Sequence, residues 1–271
     1  MGVLNITPNS FSDGGRYQNL QTACERALEM VQQGADLIDI GGEASNPYTR
    51  YEPISVDEEL SRVIPVISAI RERSDVCISI DTYKAAVMEQ AVAAGASMIN
   101  DIMALQGENA LDTARRLDVP VCLMHMQRTP QTMQDAPDYP NGVVDEINEF
   151  FSARIEACIK AGIAEKHLIL DPGIGFGKST SHNLSILNHL SAFNQHQFPV
   201  LLGVSRKGFI CQVLNKGVSE RMIGGLSVAL YAVMQGVKII RTHDVDETSQ
   251  ALRMLDSIRH NSFKKDSCCC V

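Results

Sequence analysis

The sequence lacks the features that direct a chain to a membrane, a secretory route or a nucleic acid. No window approaches the ~20 apolar residues of a membrane-spanning helix. The start, MGVLNITPNSFSDGG, has no basic segment ahead of an apolar one and is not a signal peptide. Positive charge is scarce: 24 Lys and Arg stand against 32 Asp and Glu, a net charge of -8. That excludes sequence-independent binding to nucleic acid or anionic membrane, which needs clustered Lys and Arg. A local basic pocket for a small anion stays compatible with it. The eight cysteines make no disulfide framework. Cys24, Cys77, Cys122, Cys158 and Cys211 lie scattered, mostly in apolar patterns, and read as buried thiols of a cytosolic protein. The CCCV end departs from a prenylation box, which prefers aliphatic residues where Cys269 and Cys270 stand. Residues 1–262 are expected to form one domain, with 263–271 a frayed tail.

What is present is the composition of a globular α/β chain: 271 residues, 45% hydrophobic and 21% charged. Short apolar, β-rich runs alternate with amphipathic stretches. Strands are expected at 3–6, 37–40, 76–80, 98–99, 121–124, 168–170, 200–202 and 238–240, and helices at 21–33, 56–73, 84–94, 143–161 and 248–258. Ser55 with Glu58 reads as a capping box. The stretch Asp57–Glu59 reads as an exposed helical N-terminus, where acids favour the dipole. Gly34, Gly95, Gly162 and Gly236 each follow a helix and precede a strand, where a left-handed residue ends the helix. Eight βα units in this length predict a single-domain (β/α)8 barrel, with a doubly wound open sheet as the alternative.

A polar residue stands at the end of every expected strand: Asn5, Asp39, Asp81, Asn100 with Asp101, His125, Asp171, Ser205 with Lys207, and Arg241 with His243. One such residue is most simply a turn or a cap. Eight together point to a ligand pocket on one barrel face. Asp81, Asn100 and Asp171 suit the ring N–H, amino and carbonyl groups of a fused nitrogen heterocycle. Lys207, Arg241 and His243 suit an anion. A heterocycle carrying phosphate or pyrophosphate fits both ends.

Other motifs fail. DPGIGFGKS has Pro172 where a P-loop needs glycine, and Lys178 where GxGxxG needs its last glycine. The histidines have no zinc-ligand spacing. His167, His182, His189 and His196 read as solvated surface residues, and Met124 and Met126 read equally well as core.

NITPNSFSDGG, IDIGGEASNP, SIDTYK, INDI, LMHM, LDPGIGFGKS, GVSRKGF and RTHDV stand in the order and spacing of the dihydropteroate synthases, which the chain resembles from Asn5 to His243. The resemblance implies a homodimeric (β/α)8 transferase of folate biosynthesis, a sulfonamide target. Such an enzyme condenses hydroxymethyl-dihydropterin pyrophosphate with p-aminobenzoate, with the help of Mg2+. It implies that Asp81, Asn100, Asp171 and Lys207 bind the pterin, with Met124 and Ile102 as apolar walls. Asn5, Arg241 and His243 match the pyrophosphate and Mg2+ end, Asn5 as a metal ligand. Phe176, Ser205, Ser45 and Pro47 match the neighbourhood of the aminobenzoate. Asp13 matches an acid that steadies the reacting pterin. The catalytic set so implied is Asp13, Lys207, Arg241 and His243.

Two loops depart from the family pattern. Asn46 replaces an arginine, with Arg50 four residues on, and Asn9 stands where aspartate is common. The chain also begins almost inside its first strand, where relatives carry a short upstream segment. A pterin-binding protein without catalysis and a methyltransferase acting on methyltetrahydrofolate are the competing readings. The second suits SRK and RTHD less, because a methyl donor carries no pyrophosphate.

Overall fold

The computed structural model describes residues 1–6, 16–43 and 53–261. Asp13, Ser45 and Pro47 of the implied site, with Asn9, Asn46, Arg50 and the 263–271 tail, lie outside the described residues.

Eight short parallel strands alternate with helices. The strands are β1 (Gly2–Asn5), β2 (Leu37–Gly41), β3 (Cys77–Asp81), β4 (Met98–Asp101), β5 (Val121–Met124), β6 (Leu168–Asp171), β7 (Leu201–Gly203) and β8 (Ile239–Arg241). Strands β1 to β6 pair in sequence order, and β7 pairs with β8. Two bridges complete the ring, Leu170 with Val200 and Gly2 with Thr242. At the second, Thr242 N donates to Met1 O at 2.9 Å and Val3 N to Thr242 O at 3.0 Å. The sheet therefore closes on itself, which decides for the barrel over the open sheet.

The strands are apolar on both faces because both are covered. Their outward residues, such as Ile38, Ile40, Ile78, Ile80, Leu123 and Leu170, join one large core with the helices. Inward residues Met98, Cys122, Ile169 and Leu201 form a small second core inside the barrel. Above that plug the inward positions turn polar.

The helices are α1 (Arg16–Gln32), α2 (Val56–Arg71), α3 (Ala85–Ala93), α4 (Ala110–Leu117), α5 (Val143–Ala161), α6 (Thr180–Asn188), α7 (Gly208–Leu214), α8 (Met222–Met234) and α9 (Val245–His260). Gly34, Gly95, Gly162 and Gly236 do adopt positive φ, between 95° and 119°. The capping box is only half formed. Ser55 Oγ accepts from Glu58 N at 3.1 Å, but the Glu58 carboxylate turns to Arg62. Glu59, expected to be exposed, is 1% exposed, because Lys84 Nζ reaches it at 2.6 Å and also pairs with Glu43. That ion cluster draws the first turn of α2 onto β2 and the start of α3.

The histidines also differ from expectation. His189 is exposed, whereas His167, His182 and His196 are half-buried. His182 caps α6 through Ser179, and His196 stacks edge-on against Phe151. Cys24, Cys122 and Cys158 are buried and Cys77 and Cys211 half-buried, all as free thiols.

Candidate active site

The barrel mouth is built by register. Asn5 pairs with Gly41, Gly41 with Asp81, and Asp81 with Asn100, which sets four neighbouring strands at one height. Met124 and Asp171 are partners in the same way across β5 and β6. One layer below, Asp39 stands opposite Val3 and Ser79. Side chains alternate along each strand, so Asp39 and Gly41 share the inward face.

Arg241 reaches across this opening. Its Nε donates to Asp39 Oδ2 at 2.6 Å and its Nη2 to Asp81 Oδ2 at 2.8 Å. Asn100 Nδ2 donates to the same Asp39 oxygen at 3.1 Å. Two acids thus share one guanidinium in a dry site. Burial first, and the Asp39 charge second, push the Asp81 carboxyl up to about 7. Burial disfavours the charge of Arg241, but the two acids outweigh it and hold its pKa above the usual value. The resemblance puts Arg241 at the pyrophosphate end. The geometry ties Nε to Asp39 and Nη2 to Asp81, and Nη1 is the one that these acids leave unengaged.

Asp39 stands among the strand-end residues of the sequence, but the resemblance gives it no role in the site. It is fully buried and carries the Arg241 contact. Its signal is the period-two alternation, which places it with Gly41 on the barrel interior. Among the described residues, Asp39 Oδ1 and Ser79 Oγ are buried without a protein partner.

Across the mouth, Asp171 is 6% exposed, and its Oδ1 accepts from Gly173 N at 2.8 Å. Burial raises its pKa, and Lys207 opposes the rise. Lys207 itself is lowered by burial to about 8, with Asp171 pulling it back up. Its Nζ donates to Ile174 O and lies 4.8 Å from the centre of the Phe176 ring. The walls Ile102 and Met124 are 7% and 4% exposed.

Beside β8, Ser205 Oγ accepts from His243 N at 3.2 Å and lies 3.3 Å from His243 Nδ1. It donates to Asp244 at 3.2 Å, and Asp244 pairs with Arg206. Burial, then the charges of Arg241 and Arg206, lower His243 to about 4, so its imidazole is neutral near pH 7. The Asp101 carboxylate faces away from this chemistry. It accepts from Met103 N and Leu105 N at 2.7 and 2.8 Å.

Mg2+ prefers hard oxygen donors and commonly takes one or two from the protein, with water and phosphate supplying the rest. The Asn5 amide Oδ1 and the Asp81 Oδ2 flank Gly41, each 3.6 Å from where a Cβ on it would stand. Asp81 Oδ2 already accepts from Arg241, so Asn5 Oδ1 is the oxygen that fits the ion. Among the described residues no cluster of three or more His, Cys, Asp or Glu side chains could hold a metal, so the fit calls for phosphate oxygens as well.

Comparison with known proteins adds three findings. The family model for pterin binding enzymes matches residues 1–243. The dihydropteroate synthases of Escherichia coli and Haemophilus influenzae are 49% and 48% identical to the chain over 257 and 254 residues. Those matches cover 95% and 94% of this chain and 90% and 91% of the relatives. A Yersinia pestis dihydropteroate synthase with a sulfonamide drug complex superposes with a TM-score of 0.90 at 47% identity, covering 97% of this chain and 94% of that one. The Xanthomonas albilineans enzyme in complex with 7,8-dihydropteroate superposes at 0.86 with 42% identity, over 96% and 92% of the two chains.

Proposed function

The chain belongs to the dihydropteroate synthases, within the pterin binding enzymes, and we propose how its barrel mouth carries out their transfer step. The step joins 6-hydroxymethyl-7,8-dihydropterin pyrophosphate to p-aminobenzoate, giving 7,8-dihydropteroate and pyrophosphate in folate biosynthesis. One observation carries the assignment of parts: the inward acids and amide of β3, β4 and β6 face two cations, Lys207 and Arg241, across one opening.

Asp81, Asn100 and Asp171 take the pterin, the carboxylates accepting its N–H groups and the amide pairing with its ring. Ile102 and Met124 cover its faces. The C–O bond to the pyrophosphate breaks first, and the electron pair leaves on the departing oxygen. The methylene cation that remains is balanced by Asp81 and Asp171. Arg241 Nη1 and the neutral His243 imidazole receive the departing anion. Mg2+ would be held by Asn5 with the pyrophosphate oxygens, and it supplies charge neutralisation there. The arylamine, held near Phe176 and Ser205, attacks the methylene carbon from its nitrogen and then loses a proton. Holding both reactants makes the attack effectively intramolecular.

Pyrophosphate release with Mg2+, measured with and without p-aminobenzoate, tests this reading. Release that depends on the arylamine and yields dihydropteroate supports it. Pterin binding without release moves the chain to the non-catalytic reading.

The active unit is a homodimer in the cytoplasm. Apolar side chains exposed on α7, on α8 and in the turn between them support the pairing: Val213, Ile223 and Val218 are 53%, 72% and 58% exposed. The free thiols support a reducing compartment. Among the described residues no helix is long and apolar enough to cross a membrane.

A further inference from the structure

The turn after β6 has no ladder of its own to hold it. Gly173, Gly175 and Gly177 all adopt positive φ, at 66°, 85° and 62°. A chain bent in this way turns its carbonyls outward, and each needs a donor from elsewhere once buried. Four consecutive carbonyls find one. Ile174 O accepts from Lys207 Nζ, and Gly175 O from Gln134 Nε2 at 2.7 Å. Phe176 O accepts from Lys178 Nζ at 2.9 Å, and Gly177 O from Tyr139 OH at 2.8 Å.

Lys178, the residue that spoils both glycine-loop motifs, is 4% exposed. Its remaining partners are His125 Nδ1 at 3.0 Å and His125 O at 3.2 Å, and burial lowers its pKa well below the usual lysine value. Burial, with Lys178 beside it, holds His125 near pKa 2, so the ring is a neutral acceptor. Gln134 and Tyr139 come from the long connection between β5 and α5. That connection is stapled by Gln127, whose Nε2 donates to Asp138 O at 2.6 Å and whose Oε1 accepts from Asp138 N at 3.1 Å.

We propose that Gln134, Tyr139 and Lys178 are positioning residues that set the arylamine wall of the site by clasping the backbone of this turn. Gln134, Lys178 and Tyr139 hold the carbonyls of Gly175, Phe176 and Gly177, the segment that carries the Phe176 ring, whereas Lys207 grips the turn one residue earlier, at Ile174. A shift of the clasped segment moves the ring. The inference rests on the placement of p-aminobenzoate beside Phe176. It gives the connection between β5 and α5 a part in the site, although none of its side chains belongs to the pterin layer.

The test is steady-state kinetics on Tyr139→Phe, Gln134→Ala, Phe176→Ala and the double variant Tyr139→Phe with Phe176→Ala, varying each substrate in turn. Loss of one neutral hydrogen bond is expected to raise the KM for p-aminobenzoate about fivefold. The KM for the pterin pyrophosphate and kcat at saturation are expected to stay within about twofold. Tyr139→Phe should add no further rise once Phe176 is gone, because the ring is what the clasp positions. An arylamine KM unchanged in both single clasp variants, while Phe176→Ala raises it, overturns the inference alone. Both substrates weakening together with a lower Tm also overturns it, as a purely structural role. No effect of Phe176→Ala on the arylamine removes the placement on which the inference stands, and the inference with it.

Discussion

Arg241 on the last strand and Asp39 on the second, 202 residues apart in sequence, meet at 2.6 Å inside the barrel. Asp39 is fully buried, and Asp81 takes the second arm of the same guanidinium. The pair fixes the plane of Arg241 and leaves Asp81 to divide its attention between the arginine and a ligand.

Asp39→Ala is therefore expected to destabilise the fold by about 3 kcal/mol, the lower end for breaking a buried pair, because Asp81 still partners the arginine. Urea denaturation measures it. The KM for the pterin pyrophosphate should rise about tenfold or more, since Arg241 then draws on Asp81 alone. An unchanged KM would show that Arg241 holds its place without Asp39.

Lys207 sets a limit at high pH. Burial lowers its pKa to about 8, so the ammonium is present below that pH and lost above it. A plot of log kcat/KM against pH should bend downward near 8. Lys207→Arg keeps a cation and should remove the bend while lowering the plateau, because a planar fork does not reproduce a point charge over Phe176.

Asp101 gives a stability effect of the opposite kind. Burial raises its folded pKa to about 7, well above the ordinary carboxylate range, so between the two the folded state holds a proton that the unfolded state has released. Stability then falls as pH rises through this window, by at most ~1.4 kcal/mol per pH unit. Asp101→Asn cannot titrate. Its stability relative to the parent should improve from pH 5 and level off once the pH passes about 7. A constant difference across the series would mean that Asp101 is ionised throughout.

Two glycines separate steric necessity from proximity to the site. At Gly173 a Cβ would stand 2.0 Å from His125 O, on a residue whose φ is 66°. Gly173→Ala should cost about 3 kcal/mol or more, because neither backbone can move aside. At Gly203, inside β7, the nearest atoms are 3.8 Å away. Gly203→Ala should keep stability within about 1 kcal/mol by thermal unfolding.

The exposed apolar side chains of α7, α8 and the turn between them make the last prediction. Ile223 is 72% exposed, so Ile223→Asp should leave the stability of the isolated subunit nearly unchanged. Light scattering is expected to show a dimer for the parent and a monomer for the variant. A dimer of unchanged strength would place the interface elsewhere.

Much of the barrel was legible in the sequence because strands covered on both faces are runs of Ile, Leu and Val that few other structures need. The boundaries slipped for a definite reason. Asp81, Asn100 and Asp171 read as residues just past their strands, yet they pair in the ladder and finish them. The ring of polar residues at the barrel mouth was legible for the same reason that it exists: they stand at one height on successive strands. Asp39 looked like one more strand end, and only the alternation within β2 shows that it lies a layer lower. Gln134 and Tyr139 left no trace, because what they bind is backbone 38 to 41 residues away, and a carbonyl has no sequence signature. Glu59 misled as an acid in a helix's first turn, since its partner Lys84 stands 25 residues on.

The seam between β8 and β1 has a consequence for how the molecule comes into being. Strand β8 is the keystone: it is added last, and it brings the one guanidinium that Asp39 and Asp81 share. Until residue 241 has left the ribosome and docked, those two acids face a common space with no counter-ion. The act that shuts the cylinder is also the one that brings these two carboxylates their partner, so closure of the ring and completion of the mouth are a single event.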